Sequence, residues 1–407
     1  MISILPFKAL RPEAQYAKLV ASRPYDVLSS IEAKQEAEGN PYTFLHITKS
    51  EIDLPPKTDV HGAEVYQKAK ENLDAFISRP VLFLENKPCY YIYQLVMNGK
   101  SQTGLVCGSS VDDYEDGLIK KHEFTRPEKE LDRINHIKTT GAQTGNVFLA
   151  YRDQEALNDL IEKWKATKSP VYNFSTEDGV QHTVWVISDD KAIDQITEIF
   201  KTQVSCTYIA DGHHRAASAA KVRQEIPDNE EAGYFLTTLF PASQLYIMDY
   251  NRVVKDVAGL SAEQFLEKVA QKFNVEPVKQ AYAPEGPHYF GMYLEKKWYR
   301  LRSLEGTYTE DPIGVLDVTI LQNNLLDPIL QIKDQRTDTR IDFIGGIRGL
   351  GELEKRVKSK DWTVAFSLYP VSIQQLFDIA DSGNVMPPKS TWFEPKLRDG
   401  LFTHLIS

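Results

Sequence analysis

The segment 204–226, VSCTYIA followed by DGHHR and AASAAKVRQEI, constrains the chain more than any other. Its β-branched and aromatic opening predicts a strand over Val204–Ala210. The alanine-rich run behind it predicts a helix, because alanine has the best helix propensity. Only Asp211, Gly212, His213, His214 and Arg215 stand between the two, so the chain must turn sharply. Gly212 lets the backbone turn tightly and approach a ligand closely. A helix N-terminus presents unpaired backbone N–H groups and a partial positive charge, so an anion is stabilised there. Asp211 is placed to accept a proton or hold a metal, and Arg215 offers a planar fork for phosphate. His213 and His214 are neighbours and cannot face the same way on a helix: one meets a ligand while the other packs. The plainer alternative is an ordinary helix start, with Asp211 as cap and the histidines satisfied locally.

A second polar run, Lys120, Lys121, His122, Glu123, Phe124 and Thr125, precedes a predicted helix over 127–137. Thr125 and Glu128 have the T-x-x-E spacing of a capping box. Arg133 and His136 are three apart and share one side of this helix, while Leu131, Ile134 and Ile137 can form its core face. The functional reading is a second wall of a site for an anionic ligand, with Glu123 as base. The alternative is a solvated charged turn.

Other runs are weaker. Gly345, Gly346, Ile347, Arg348 and Gly349 match neither G-x-x-x-x-G-K-[ST] nor G-x-G-x-x-G, and a tight turn is expected. Lys389, Ser390, Thr391 and Lys396 read as an anion contact or as a docked tail, and His46 and His182 as core or surface histidines. No G-x-S-x-G or H-E-x-x-H is present.

Composition excludes several classes. The 407 residues carry 47 Lys and Arg against 57 Asp and Glu, a net charge of −10, which argues against a general nucleic-acid coat. Cys89, Cys107 and Cys206 are odd in number and widely spaced, so neither a zinc ribbon nor a redox pair is indicated, and a reducing compartment is expected. The N-terminal apolar run is short and broken by Pro6, and no window reaches 18 apolar residues, so no signal peptide, no membrane span and a cytoplasmic location are expected.

The mixture of strand and helix patterns predicts an α/β (α+β) protein. Further helices are expected over 13–20, 63–78, 153–166 and 190–201, and strands over 81–84, 89–96, 146–151 and 182–187. The prolines of 277–288 place a domain boundary there, giving parts 1–105, 106–276 and 277–407.

Six stretches carry a resemblance: PFKALRP (6–12), RPYDVLS (23–29), NPYTFLHI (40–47), DYEDGLIKKHEFTRPEKELDRINHI (113–137), YIADGHHRAASAA (208–220) and MPPKSTWFEPKLRDGL (386–401). Through them the chain resembles, almost end to end, a bacterial and archaeal family named only as domain of unknown function 1015. More distantly, the order His-Glu, helix, strand, DGHHR over 113–222 looks like the core of the ParB/sulfiredoxin-like fold, nearest its free-serine kinases. That resemblance implies such a core elaborated by N- and C-terminal α/β parts. It also implies phosphorylation of the free L-serine hydroxyl from a nucleotide, and it carries the catalytic roles onto Glu123, Asp211 and His214. The chain departs from the small kinases by its extra segments at 152–202. Two histidines stand where the chromosome-partitioning relatives favour arginines, which argues against a DNA role.

The leading expectation is phosphoryl transfer from ATP or ADP, with Mg2+, to a hydroxyl of a small metabolite. Positioning and electrostatics carry such a transfer. Amides of Gly212, His213 and His214 would hold the donor phosphate. Arg215, Lys121 and Arg133 would balance charge, with His122 and His136 beside them. Two rivals remain at this point: a metal-dependent phosphatase or hydrolase using His122, His136, His213, His214 and Asp211, and a non-catalytic nucleotide-binding regulator.

Overall fold

The structure is a computed structural model, and it describes residues 1–406. The chain is α/β and divides into two compact units: Met1–Leu245 together with Pro395–Ser407, and Tyr246–Glu394. The expected divisions at 105/106 and 276/277 fall inside strands, Lys100–Ser110 and Phe273–Val278. The prolines of 277–288 end one strand and join it to the rest of its own sheet.

The first unit is built on a mixed nine-stranded sheet. Its order is Ile119–Lys120, Thr207–Asp211, Val147–Tyr151, Tyr234–Pro241, Lys100–Ser110, Tyr90–Met97, Gln181–Ile187 and Tyr172–Ser175, with Ile4–Leu5 added on Lys100–Ser110. The pairing that matters for the site is Ile119–Lys120 with Thr207–Asp211. It is parallel, with Tyr208 opposite Lys120. Residues 121–123 therefore leave the sheet beside residues 209–211, the last of strand Thr207–Asp211, at the end where the turn at Gly212 follows. Ligands commonly bind beyond the carboxyl ends of parallel strands. A small second sheet joins Leu82–Leu84, Ala9–Pro12, Thr403–Leu405 and Ala142–Gln143.

The main core lies between the large sheet and its helices. Leu149, Ile209, Leu239, Ile196 and Phe200 are fully enclosed there. The alanine-rich helix spans His213–Glu225, and Ala216, Ala217, Ala219 and Ala220 are all buried. Small side chains let it lie close to the sheet and to helix Pro127–Thr140 on another side. Ser218 Oγ binds the carbonyls of His214 at 2.7 Å and Glu130 at 3.1 Å, tying the two helices together.

Three local expectations are corrected. The Thr125–Glu128 capping box does not form: Arg126 is the N-cap without a side-chain bond, and Thr125 Oγ1 donates to Glu130 instead. Glu130 accepts from Thr125 through one oxygen and from Lys221 on the neighbouring helix through the other. Leu131 is 57% exposed, so the core face of this helix is Ile134 and Ile137 alone. The strand expected over Val204–Ala210 runs Thr207–Asp211, which puts Asp211 at its last position.

The second unit holds an antiparallel six-stranded sheet, ordered Phe273–Val278, Lys297–Ser303, Tyr289–Leu294, Val364–Leu368, Tyr250–Val254 and Ile341–Gly345. Helices Ala262–Val269 and Ile373–Asp381 start at capping boxes, Ser261 with Gln264 and Ser372 with Gln375. The Gly345–Gly349 run is the tight turn its sequence indicated. A side chain at Gly346 would collide with Asp249, whose carboxylate opposes a phosphate at that spot. Among the described residues no helix is long and apolar enough to cross a membrane.

Candidate functional site

The helix His213–Glu225 begins directly after Asp211, with Gly212 as N-cap in the left-handed region at φ +99°. No side chain caps it. Its first amides thus have no acceptor within the helix. A Cβ at Gly212 would stand 3.1 Å from the Arg215 guanidinium carbon and 3.3 Å from the Val147 Cα, so only glycine fits this turn.

Asp211 is held ionised. Burial works to raise its pKa, but Lys396 and Arg215 outweigh burial and hold it below the usual carboxylate range. Lys396 Nζ lies 3.2 Å and Arg215 Nη2 3.6 Å from Oδ2. The side chain keeps 30% of its surface open. An ionised, partly open carboxylate beside a helix N-terminus can orient a hydroxyl or a hydrated cation, or accept a proton.

The two histidines enter different surroundings, as their adjacency requires. His213 is buried edge-on against His122, with ring centres 4.5 Å apart and planes perpendicular. Its Nε2 accepts the backbone N–H of His122 at 3.4 Å, and its Nδ1 lies 4.0 Å from Glu123 Oε2. Burial and the neighbouring His122 push its pKa well below the ordinary histidine value. His214 accepts the backbone N–H of Arg126 at Nε2, at 3.0 Å. Burial and Lys129 lower its pKa. His122 is pushed down to about 4 by burial, and its Nδ1 is buried without a hydrogen-bond partner. Glu123 itself is 44% exposed.

His214 borders an open cleft of about 310 Å3. Helix Pro127–Thr140 supplies one wall through Glu128, Lys129, Asp132, Arg133 and His136. Tyr25, Asp26, the 48–51 turn and the 60–66 stretch supply the other. The volume suits a small metabolite or part of a nucleotide. Arg133 is buried, with its guanidinium 4.0 Å from the Tyr25 ring centre and bonded to Asp132 at 2.7 Å. His136 Nε2 meets the Ile47 carbonyl at 3.0 Å, and burial with Arg133 lowers its pKa to about 4.

Arg215 is not an open fork. Its guanidinium is buried, 3.4 Å from Asp26 and 3.6 Å from Asp211, and it also donates to the Asn146 carbonyl. It organises the site by pulling two distant segments, around Asp26 and Asn146, onto the helix N-terminus beside Asp211. Lys121 stands over the Tyr114 ring at 3.8 Å and does not border the cleft. Glu123 is likewise outside the cleft lining, on the His213 side. Among the described residues no group of three or more His, Cys, Asp or Glu side chains is arranged to hold a metal ion.

Sequence reasoning did not single out Asp26, Asn146 or Asp399. Asp399 is buried, with its Oδ2 unpartnered, and burial raises its pKa to about 7 against the pull of Arg215. Asp26 and Asp399 belong to short polar turns with no periodicity of their own, and Asn146 is the polar residue that leads into an apolar strand. For Asp26 and Asp399 the signal was that PYDV and KLRDG lie in the stretches that resemble the family; Asn146 lies in none of them.

The chain belongs to the family described as Protein of unknown function (DUF1015), which matches residues 4–319. No curated protein matches it. Among solved structures it is similar to a conserved hypothetical protein from Pyrococcus furiosus, at 14% identity and a TM-score of 0.36, over 74% of this chain and 94% of that one. It is also similar to a free serine kinase in complex with AMP, at 12% identity and a TM-score of 0.37, covering 72% and 91%. A third is SbnI with a C-terminal truncation from Staphylococcus aureus, at 10% identity and a TM-score of 0.36, covering 72% and 85%. All three are distant likenesses.

Proposed function

We propose that this member of the family is a kinase-like phosphotransferase, moving a phosphoryl group from ATP or ADP to a hydroxyl of a small metabolite. The observation that carries the reading is the meeting of two sequence-distant features: Glu123 Oε2 lies 4.0 Å from His213 Nδ1, at the uncapped start of the alanine-rich helix. A phosphoryl donor needs unpaired N–H groups, and an acceptor hydroxyl needs a carboxylate close by. The motif resemblance to free-serine kinases over 113–222 points to free L-serine as the first acceptor to test, and to a ParB/sulfiredoxin-like core.

In this reading the amides at His213 and His214 hold the donor phosphate. Glu123 orients the acceptor hydroxyl and takes its proton. Asp211, ionised between Lys396 and Arg215, is the second carboxylate at that end of the helix. Arg215 acts indirectly, by fixing Asp26 and Asp211. Asp211, whose side chain is partly open beside Lys396 and Arg215, is the residue that would hold a magnesium ion brought with the nucleotide. Such an ion would supply charge neutralisation.

The test is incubation with L-serine, magnesium and ATP or ADP, with phosphoserine as the readout. Glu123→Gln is expected to lower the rate by about 10²–10⁴-fold while nucleotide binding persists. Nucleotide binding without turnover on any hydroxyl acceptor, unchanged in Glu123→Gln, would overturn catalysis in favour of a binding protein.

A further inference from the structure

We propose that both histidines of the DGHHR turn are locked as neutral Nδ1–H tautomers by backbone amides of the 122–126 segment, so that His214 meets a ligand as an N–H donor and not as a base. For the ligand's identity this rests on the phosphotransferase reading; for the tautomers it does not.

The lock follows from what a backbone amide can do. A peptide N–H only donates, so the ring nitrogen facing it must present a lone pair. The His122 amide points at His213 Nε2, at 3.4 Å, and the Arg126 amide at His214 Nε2, at 3.0 Å. In a neutral imidazole the proton then sits on the other nitrogen, Nδ1. Burial disfavours the doubly protonated form of both rings; with Lys129 and Arg126 at His214, and His122 and Arg215 at His213, it outweighs the carboxylates that favour that form, Asp26 and Glu130 at His214 and Asp211 at His213.

The two rings spend their remaining N–H differently. His213 Nδ1 faces the Glu123 carboxylate at 4.0 Å. A modest closure would make this a hydrogen bond to an ionised acceptor, which makes His213 a positioning residue for Glu123. His214 borders the cleft, and Nδ1–H is the polar ring atom it has left to offer. A fixed neutral donor of that kind favours a phosphoryl oxygen or another anionic group. The same pair of bonds staples the Glu123-bearing loop to the helix at two points four residues apart, His122 and Arg126.

The experiment is a long-range proton–nitrogen NMR spectrum of the full chain labelled with 15N-histidine, at neutral pH. His213→Gln and His214→Gln assign the resonances. Both rings are expected to show protonated Nδ1 and bare Nε2. Protonation of either ring at Nε2 overturns the lock. The kinetic arm compares His214→Gln, which retains an acceptor for the Arg126 amide, with His214→Asn, which retains a donor near the Nδ1 position. An N–H donor role predicts a kcat about 10²-fold lower in His214→Gln, with partial recovery in His214→Asn. Equal losses in the two variants overturn the donor role. Absence of any phosphoryl transfer in the wild type, with the tautomers as expected, counts against the phosphotransferase reading and leaves the lock standing.

Discussion

The Lys396 ammonium lies 3.2 Å from Oδ2 of Asp211, across 185 residues of sequence. This one contact draws the C-terminal KLRDG stretch onto the DGHHR turn. It also helps decide the charge of Asp211, which burial alone would drive towards the protonated form.

Lys396→Met is therefore expected to cost about 2 kcal/mol at neutral pH, the scale of a charge-assisted hydrogen bond. The folded pKa of Asp211 lies below its unfolded value, so the stabilisation is fully present above roughly pH 4 and fades as the solution is acidified through the folded value. Urea unfolding of both proteins should show a gap at pH 7 that narrows at strongly acid pH. A gap that widens on acidification contradicts the assignment.

Asp399 has the opposite sign. Burial raises its folded pKa to about 7, above the unfolded value, so ionising it with rising pH weakens the fold. Between pH 5 and pH 8 the wild type should lose roughly 2–3 kcal/mol through this group, at about 1.4 kcal/mol per pH unit of mismatch. Asp399→Asn removes that loss. The variant should gain on the wild type by that amount across the interval, measured as the difference between their denaturant midpoints.

Much of this was legible in the sequence, and the boundary has a physical origin. The strand, turn and helix around DGHHR are contiguous, so periodicity and propensity describe them locally. Helix Ala63–Ser78 matches its expected span for the same reason. The error at Thr125 arose because a T-x-x-E spacing says nothing of Glu130, which takes the Thr125 hydroxyl while Lys221 of another helix holds its second oxygen. Arg215 read as an open phosphate fork because Asp26, 189 residues away, and the Asn146 carbonyl are brought to it only by the fold, while Asp211, four residues before it, was read as a separate ligand group. Lys100–Ser110 runs through position 105, and no local composition shift marks the passage between the two compact units at 245/246.

Gly212→Ala is expected to destabilise the protein by about 1–3 kcal/mol, the cost of holding a residue with a Cβ at strained backbone angles. The new methyl would also press on Val147 and Arg215. Nucleotide binding should weaken with it, because the helix start must shift. Calorimetric unfolding together with nucleotide titration checks this. An unchanged midpoint would show that the turn has more freedom than its contacts allow.

Ser218→Ala removes the hydroxyl that reaches the Glu130 carbonyl from the second helix. The expected cost is about 1 kcal/mol, and hydrogen exchange at amides 127–134 should speed up more than at the sheet. Uniform acceleration throughout the unit would argue against a local tie.

The parallel pairing of Tyr208 with Lys120 has a consequence for how such a chain can change over time. Once those two strands lie side by side, the carboxylate loop and the helix start are set against each other whatever the chain does in between. The excursion from residue 124 to 206 leaves that junction and returns to it. Insertions or deletions in the outlying helices Glu155–Thr167 and Asp190–Gln203 can thus accumulate without redrawing the chemistry at the junction.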